Sequence, residues 1–390
     1  MDCDWKWVQR EPQRRAIILA TGTLITMAGG VVTPVFPKII SALEFERTLG
    51  THLVSIHALT LALFSPVWGV AADKIGPVRV LVPSLLFYGI FGTAGALISQ
   101  FWLLLATRSL LGAAAGGIAA GSLGLLGKLY DQETRAQAIA YATAILTVAG
   151  IIFPLLGGSI ASIHWRYAFA PYAIAFPLAL VSSWAFAEAK GYSSNQTREL
   201  SSELRKVLLH PSVIELLLFV ALTAAIMYSV VIYAPLYLQD SLGLGTVENG
   251  GLLATRALGA ALISALGSKK IAKKWSSQGA IALGFGLMGI SLFTIPWLQE
   301  FLLILLSALV FGMGFGLVLP NLYNSLSNFA PVKIRSSILA IGIGTSFLGQ
   351  FLSPVLLSPV LQWGGLTGVF NTAATFALLG GIFLLRRMPR

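Results

Sequence analysis

Apolar residues run through this chain in blocks of about 20 or more, separated by polar stretches that carry Gly, Pro or charge. Six blocks fall at roughly 16 to 38, 52 to 72, 78 to 98, 102 to 129, 136 to 160 and 167 to 187. After one longer polar stretch, six more fall at roughly 212 to 238, 248 to 268, 277 to 297, 301 to 329, 336 to 360 and 365 to 385. A helix needs about 20 apolar residues to cross the hydrocarbon core of a bilayer. The pattern therefore predicts an all-α polytopic membrane protein with twelve transmembrane helices in two pseudo-symmetric six-helix bundles. The block after Arg14-Arg15 begins like a secretory signal, but it is span-length and similar blocks follow it, so a retained first helix is expected.

Composition agrees with this pattern. Of 390 residues, 56% are hydrophobic and 11% charged, with a mean hydropathy of +0.82. A soluble core has no room for that much apolar side chain. The net charge of +11 would suggest nucleic acid as a partner of a soluble protein; across a bilayer it follows from the bias of Lys and Arg toward inner loops. Of the 26 Lys and Arg, Lys38, Arg47 and Arg166 fall on one side of the predicted topology. Arg108 and Arg256 lie inside apolar blocks, and all the rest, from Lys6 to Arg390, fall on the other side. That asymmetry predicts a multi-pass protein of the cell inner membrane with both termini cytoplasmic, with the lipid bilayer and not nucleic acid as its surroundings. Cys3 is the only cysteine, which excludes an internal disulfide and any CxxC metal or redox site.

The polar stretch divides the chain into an N-terminal half (1–188), a cytoplasmic linker (189–211) and a C-terminal half (212–390). The second part of the linker, from Glu199, has the pattern of a short amphipathic helix. Asn195-Gln-Thr197 forms a glycosylation sequon that is idle on a cytoplasmic segment. At an offset of 200 residues, Gly112 matches Gly312, Gly116 matches Gly316, Arg135 matches Arg335 and Pro154 matches Pro354. All four pairs fall on the fourth span, the loop after it and the fifth span, as a duplicated six-helix unit requires.

Gly69-Val-Ala-Ala-Asp73-Lys74-Ile-Gly76-Pro-Val-Arg79 joins the second and third spans. Two close helix ends favour small residues, Asp73 can cap a helix N-terminus, and Lys74 or Arg79 can pair with a carboxylate or an anionic lipid. At this stretch the chain resembles the major facilitator superfamily, whose signature between spans two and three is Gly, three residues, Asp, two residues, Gly, then basic residues. Pro77 and Val78 stand in place of the usual basic pair and Arg79 follows one step later. The resemblance implies a twelve-span transporter of the drug:proton antiporter type, in which Gly69, Asp73, Lys74, Gly76 and Arg79 act as a conformational latch. The second-half counterpart, Gly267-Ser-Lys-Lys-Ile-Ala-Lys-Lys274, keeps Gly and positive charge but lacks the Asp.

Polar residues inside the apolar blocks are the candidates for transport chemistry. Arg108 lies about 12 Å into the fourth span, where an arginine costs roughly 2.5 to 3.5 kcal/mol and needs a partner or a wet cavity. Leu104, Arg108, Gly112 and Gly116 resemble the family's fourth-span motif, with Leu111 where a Gln is common. The resemblance associates Arg108 and Gly112 with proton coupling; a hydrogen-bond hub to carbonyls is the alternative. Arg256 sits at similar depth in the eighth span, either snorkelling or attracting an anion. His57, about 9 Å into the second span, is a candidate proton carrier or a buried hydrogen-bonding group. Apart from Glu215, no acid falls well inside a block, which argues against cationic cargo.

In the fifth span, Pro154, Gly157 and Gly158 predict a kinked, closely packed helix. They resemble the family's antiporter motif, with Ala149 and Phe153 replacing glycines, and so favour efflux. The resemblance places the substrate cavity among spans one, four, seven and ten. Its expected lining is Met27, Arg108, Tyr228, Tyr233, Arg256, Phe311, Met313, Asn321 and Asn324, with Gln350 nearby. Gly284-Phe-Gly-Leu-Met-Gly289 fits a dinucleotide pattern but lies in an apolar block with no strand before it. No nucleophile and base, metal set or cofactor motif is visible, so neither an enzyme nor a cofactor is expected. The expectation is a monomeric secondary transporter exporting amphiphilic small molecules by alternating access, with protons as coupling ion. The competing readings are an importer or exchanger of organic anions using Arg108 and Arg256, and a non-transporting sensor or channel.

Overall fold

The structure, a computed structural model, describes residues 3–129, 132–186, 199–331 and 334–386. The first part of the predicted linker, 189–198 with its sequon, lies outside them, as do Lys333, Arg387 and Arg390. The first-half helices are α1 (Cys3–Gly30), α2 (Phe36–Leu43), α3 (Arg47–Ile75), α4 (Pro77–Ala94), α5 (Phe101–Leu129), α6 (Gln132–Ile163) and α7 (Ala175–Ala185). After the amphipathic α8 (Glu199–Leu208) come α9 (Pro211–Leu242), α10 (Thr246–Leu266), α11 (Ser268–Thr294), α12 (Phe301–Phe329) and α13 (Arg335–Arg386).

Eleven helical stretches among the described residues are long and apolar enough to cross a membrane. The last, Ser337–Arg386, holds two spans, because Gly365 breaks α13 at φ 61°, in the left-handed region that favours glycine. Twelve crossings follow, and each predicted block falls on one of them, with bounds that differ by up to about nine residues. With an even number of crossings, both ends of the described chain share one face, the terminal face, with the α3–α4 turn. Exposed Trp184 and Trp275 lie near that face, and exposed Trp102, Trp297 and Trp363 near the opposite one, the positions that indole rings favour at membrane interfaces.

Local chemistry sets the breaks. Gly76 ends α3 at φ 96° and Pro77 opens α4 at its first position, so a single residue makes the turn. Pro34 and Pro37 accompany the 3-10 turn Thr33–Val35 that joins α1 to α2. The sixth span, read from sequence as one helix, opens instead with ten residues of 3-10 helix, Trp165–Ile174, before α7. Pro171 has no N–H to donate there, and the His164 side chain accepts from Arg166 N at 3.2 Å to start the turn.

The buried side chains form two cores. One gathers Leu24, Met27, Leu81, Leu85, Tyr88, Leu111, Phe169 and Tyr172 from the first half; the other gathers Tyr233, Phe285, Met288, Phe311 and Phe370 from the second. Phe36, Ile40 and Val54 of the first half belong to the second core, and there the bundles meet. The repeat seen in the sequence is a repeat of packing. A Cβ on Gly112 would overlap the His57 carbonyl, and one on Gly312 would overlap the Arg256 carbonyl. Gly116 approaches the Leu61 carbonyl and Gly316 the Ala260 carbonyl in the same way. Span two thus lies on span four as span eight lies on span ten.

Candidate functional site

Arg108 is 2% exposed, and the buried charge is met by oxygens. Its Nη2 donates to the Ala28 carbonyl and its Nη1 to the Tyr172 hydroxyl at 3.0 Å. Tyr172 in turn donates to the end of α1, its hydroxyl lying 3.0 Å from the Ala28 carbonyl and 3.3 Å from that of Met27. Tyr88 packs edge-on against the Tyr172 ring at 5.6 Å and donates to Leu24 O at 2.6 Å. α1 ends at Gly30, so the Ala28 carbonyl is among the last ones that a helix leaves to outside donors, while Met27 O also keeps a long bond from Val31 N at 3.5 Å. Gly112, one turn along α5, lets α3 approach closely enough for His57 to join the same region.

His57 is buried. Its ring stands against Gly29, where a Cβ would lie 3.1 Å from His57 Nε2 and 3.4 Å from the Tyr228 hydroxyl. Tyr228, near the middle of α9, donates to Val54 O on α3 at 3.0 Å and lies within electrostatic reach of both Arg108 and Arg256. Arg256 makes no hydrogen bond or ion pair with any described residue, and its Nε is buried. Arg108, His57, Tyr228 and Arg256, from four spans and both halves, thus meet in one polar region of the bundle.

Beyond this region, toward the face opposite the termini, the halves are joined. Arg47 at the start of α3 forms a forked pair with Asp240 at the end of α9, one arm measuring 3.0 Å. Gln239 donates to Ser41 at 3.3 Å, Thr246 to the Gly158 carbonyl at 2.8 Å and Asn249 to the Pro34 carbonyl at 3.1 Å. A Cβ on Gly158 would overlap the Thr246 carbonyl, and one on Gly157 the Val31 carbonyl. The small residues of the fifth span are therefore where α6 contacts α10 and the end of α1, with Pro154 inside the same helix. The ion pair borders a groove of about 640 Å³, so water screens it and its contribution is of order 1 kcal/mol or less.

The residues expected to form a latch lie at the other face. Asp73, Lys74 and Arg79 are exposed, and α4 is capped by Gly76 without a side-chain bond; Asp73 does not cap it. A Cβ on Gly69 would meet nothing within 4 Å, so close packing does not require glycine there. Among the cavity candidates, Met27, Tyr233 and Phe311 are almost fully buried within the two cores. Met313 and Gln350 are half-buried and Asn324 is exposed. Asn321 donates to Ser268 at 3.1 Å and to Leu317 O at 2.7 Å, tying α12 to the second-half copy of the latch loop.

Tyr172, Tyr88 and the Arg47–Asp240 pair went unseen in the sequence. Tyrosine in an apolar block carries no signal of its own, and Arg47 and Asp240 each look like an ordinary charged span end. A buried arginine did predict that a partner must exist.

Twelve crossings in two bundles, joined at one face and meeting around intramembrane charge, are the architecture of a membrane transporter. It belongs to the Major Facilitator Superfamily, whose family model matches residues 18–354. The chain is 24% identical over 342 residues to the quinolone resistance protein NorA of Staphylococcus aureus (strain COL), covering 85% of this chain and 86% of NorA. It is 23% identical over 381 residues to the class H tetracycline resistance protein of Pasteurella multocida, covering 93% and 94%. Among solved structures, a peptide transporter POT in complex with sulfate superposes with a TM-score of 0.79 at 14% identity, covering 96% of this chain and 94% of that one.

Proposed function

We propose that this transporter exports amphiphilic organic compounds across the cell inner membrane by proton-driven alternating access, with residues 1–188 and 212–390 as the moving halves. The inter-half bonds carry this reading. The ion pair and the Gln239, Thr246 and Asn249 bonds sit at the face opposite the termini, while Asp73 and its neighbours at the terminal face stand exposed. Such an asymmetry suits one end state of a rocking cycle in which the opposite face is shut. With the basic loops cytoplasmic, it is the state open toward the cytoplasm. Efflux as the direction is supported by the fifth-span residues Pro154, Gly157 and Gly158 and by relatives named for quinolone and tetracycline resistance. Proton coupling rests on the resemblance at Arg108 and Gly112, with His57 in the same polar region.

Purified protein in liposomes under an imposed pH gradient tests the proposal. Uptake of a lipophilic fluorescent dye that stops when an ionophore collapses the gradient supports it; uptake indifferent to the gradient contradicts the coupling. Organic-anion exchange is the second reading, favoured by the unpaired Arg256, and predicts gradient-independent exchange of a carboxylate.

A further inference from the structure

We propose that the cargo carries a carboxylate and that Arg256 holds it, beside Tyr228 at the joint between the halves. The inference rests on the transport function proposed for the same region, whichever way the cargo moves.

Two arginines lie within the apolar thickness; the Nε of each is buried without a partner, but only Arg108 has its two Nη nitrogens engaged by the fold. Arg108 bonds to the Ala28 carbonyl and the Tyr172 hydroxyl. Arg256 bonds to no described residue. A guanidinium has five N–H donors and keeps its charge, so an unpaired one this deep is costly unless something enters to meet it.

The surrounding spans offer no acid to do so. Glu248 is about 12 Å from Arg256 along α10 and accepts from Gly245 N at 3.0 Å. On α9, Asp240 lies about 18 Å from Tyr228 and is paired with Arg47. Glu215 is about 20 Å from Tyr228 in the other direction, near the terminal face.

The packing frame does not need arginine at this position either. Gly312 receives the Arg256 carbonyl just as Gly112 receives the His57 carbonyl. The frame uses the backbone, and its first-half copy holds a histidine. The charge of Arg256 is thus surplus to folding and directed at a region that both halves share. One guanidinium with Nη donors to spare, the Nη donors of nearby Arg108 being held by Tyr172 and Ala28, suits a monoanion bound through two parallel hydrogen bonds, the geometry of a carboxylate, better than a phosphate dianion.

The test titrates purified protein in nanodiscs with 1-pyrenebutyrate and with its methyl ester, reading pyrene anisotropy against empty nanodiscs. The acid is expected to bind about ten- to hundredfold tighter than the ester. R256Q should bring that ratio close to one by weakening the acid, and R256K should leave an intermediate ratio, because charge survives without the fork. A wild-type protein with no acid preference, or a preference that survives R256Q, overturns the proposal. If R256Q binds neither probe, R256K decides: a reduced ratio supports the proposal and an undiminished one overturns it. Gradient-driven dye transport by the wild type, measured in parallel, reports on the transport function alone, so the two can fail separately.

Discussion

At the scale of single residues, the buried arginines divide the work. Arg108 is held by oxygens from α1 and the 3-10 helix, so removing it costs the Ala28 carbonyl and the Tyr172 hydroxyl one charged partner each, leaving only their bond to one another. R108M is expected to lower stability by about 1–3 kcal/mol, read as a lower melting temperature in detergent, and to abolish gradient-driven transport. Y172F, which leaves the carbonyl with its arginine, is expected to cost less on both counts. The glycines make a second contrast. G112A forces a Cβ into the His57 carbonyl and should destabilise by about 1–3 kcal/mol, whereas G69A, with open space around it, should stay within about 0.5 kcal/mol of the parent. Equal melting temperatures for the two variants would contradict the packing account. Both glycines stood out in the sequence for their motifs; only the contacts separate the one that packs from the one that does not. Arg108 was legible as a problem needing an answer, but the answer comes from residues 64 and 80 positions away, which no local pattern reveals.

At the scale of elements, the two faces of the bundle behave differently. Asp73 has no bond to a described residue in this state, so D73N should leave the melting temperature unchanged while slowing transport, as the proposed latch role requires. Full transport by D73N would remove the latch role. The Arg47–Asp240 pair makes the opposite prediction. It is half-exposed and wet, so R47A should shift the balance away from the state shut at that face by only about fivefold or less, and the charge-swapped double variant R47D/D240R should restore it. Spin labels at Leu49 and Val247 in a C3S background, where the chain has no cysteine, would read the shift as an inter-label distance distribution. The turn between the second and third spans was readable because Gly76 and Pro77 act through the backbone wherever they occur. The 3-10 opening of the sixth span was not, since an apolar block with one proline reads equally well as a kinked α-helix.

At the scale of the whole molecule, hydrophobic block length alone predicted the number of crossings, because a bilayer demands the same length from every span. Gly112, Gly116, Gly312 and Gly316 foreshadowed the duplication, and their contacts with matching carbonyls show what was duplicated: a helix pair, not a ligand set. The site was only half legible. Arg108, His57 and Arg256 were each picked out as polar intruders and Tyr228 as a lining of the expected cavity, but their gathering around one joint depends on how two halves of the chain dock, which the order of residues does not encode locally. The central claim is that these halves rock, opening one face as the other shuts. Two label pairs measured on the same protein test it: Leu49 with Val247 at the face opposite the termini, and Val70 with Leu266 at the terminal face. The account predicts that imposing a pH gradient or adding a transported dye lengthens one distance while it shortens the other. Both distances staying fixed, or changing in the same sense, while transport proceeds would contradict it.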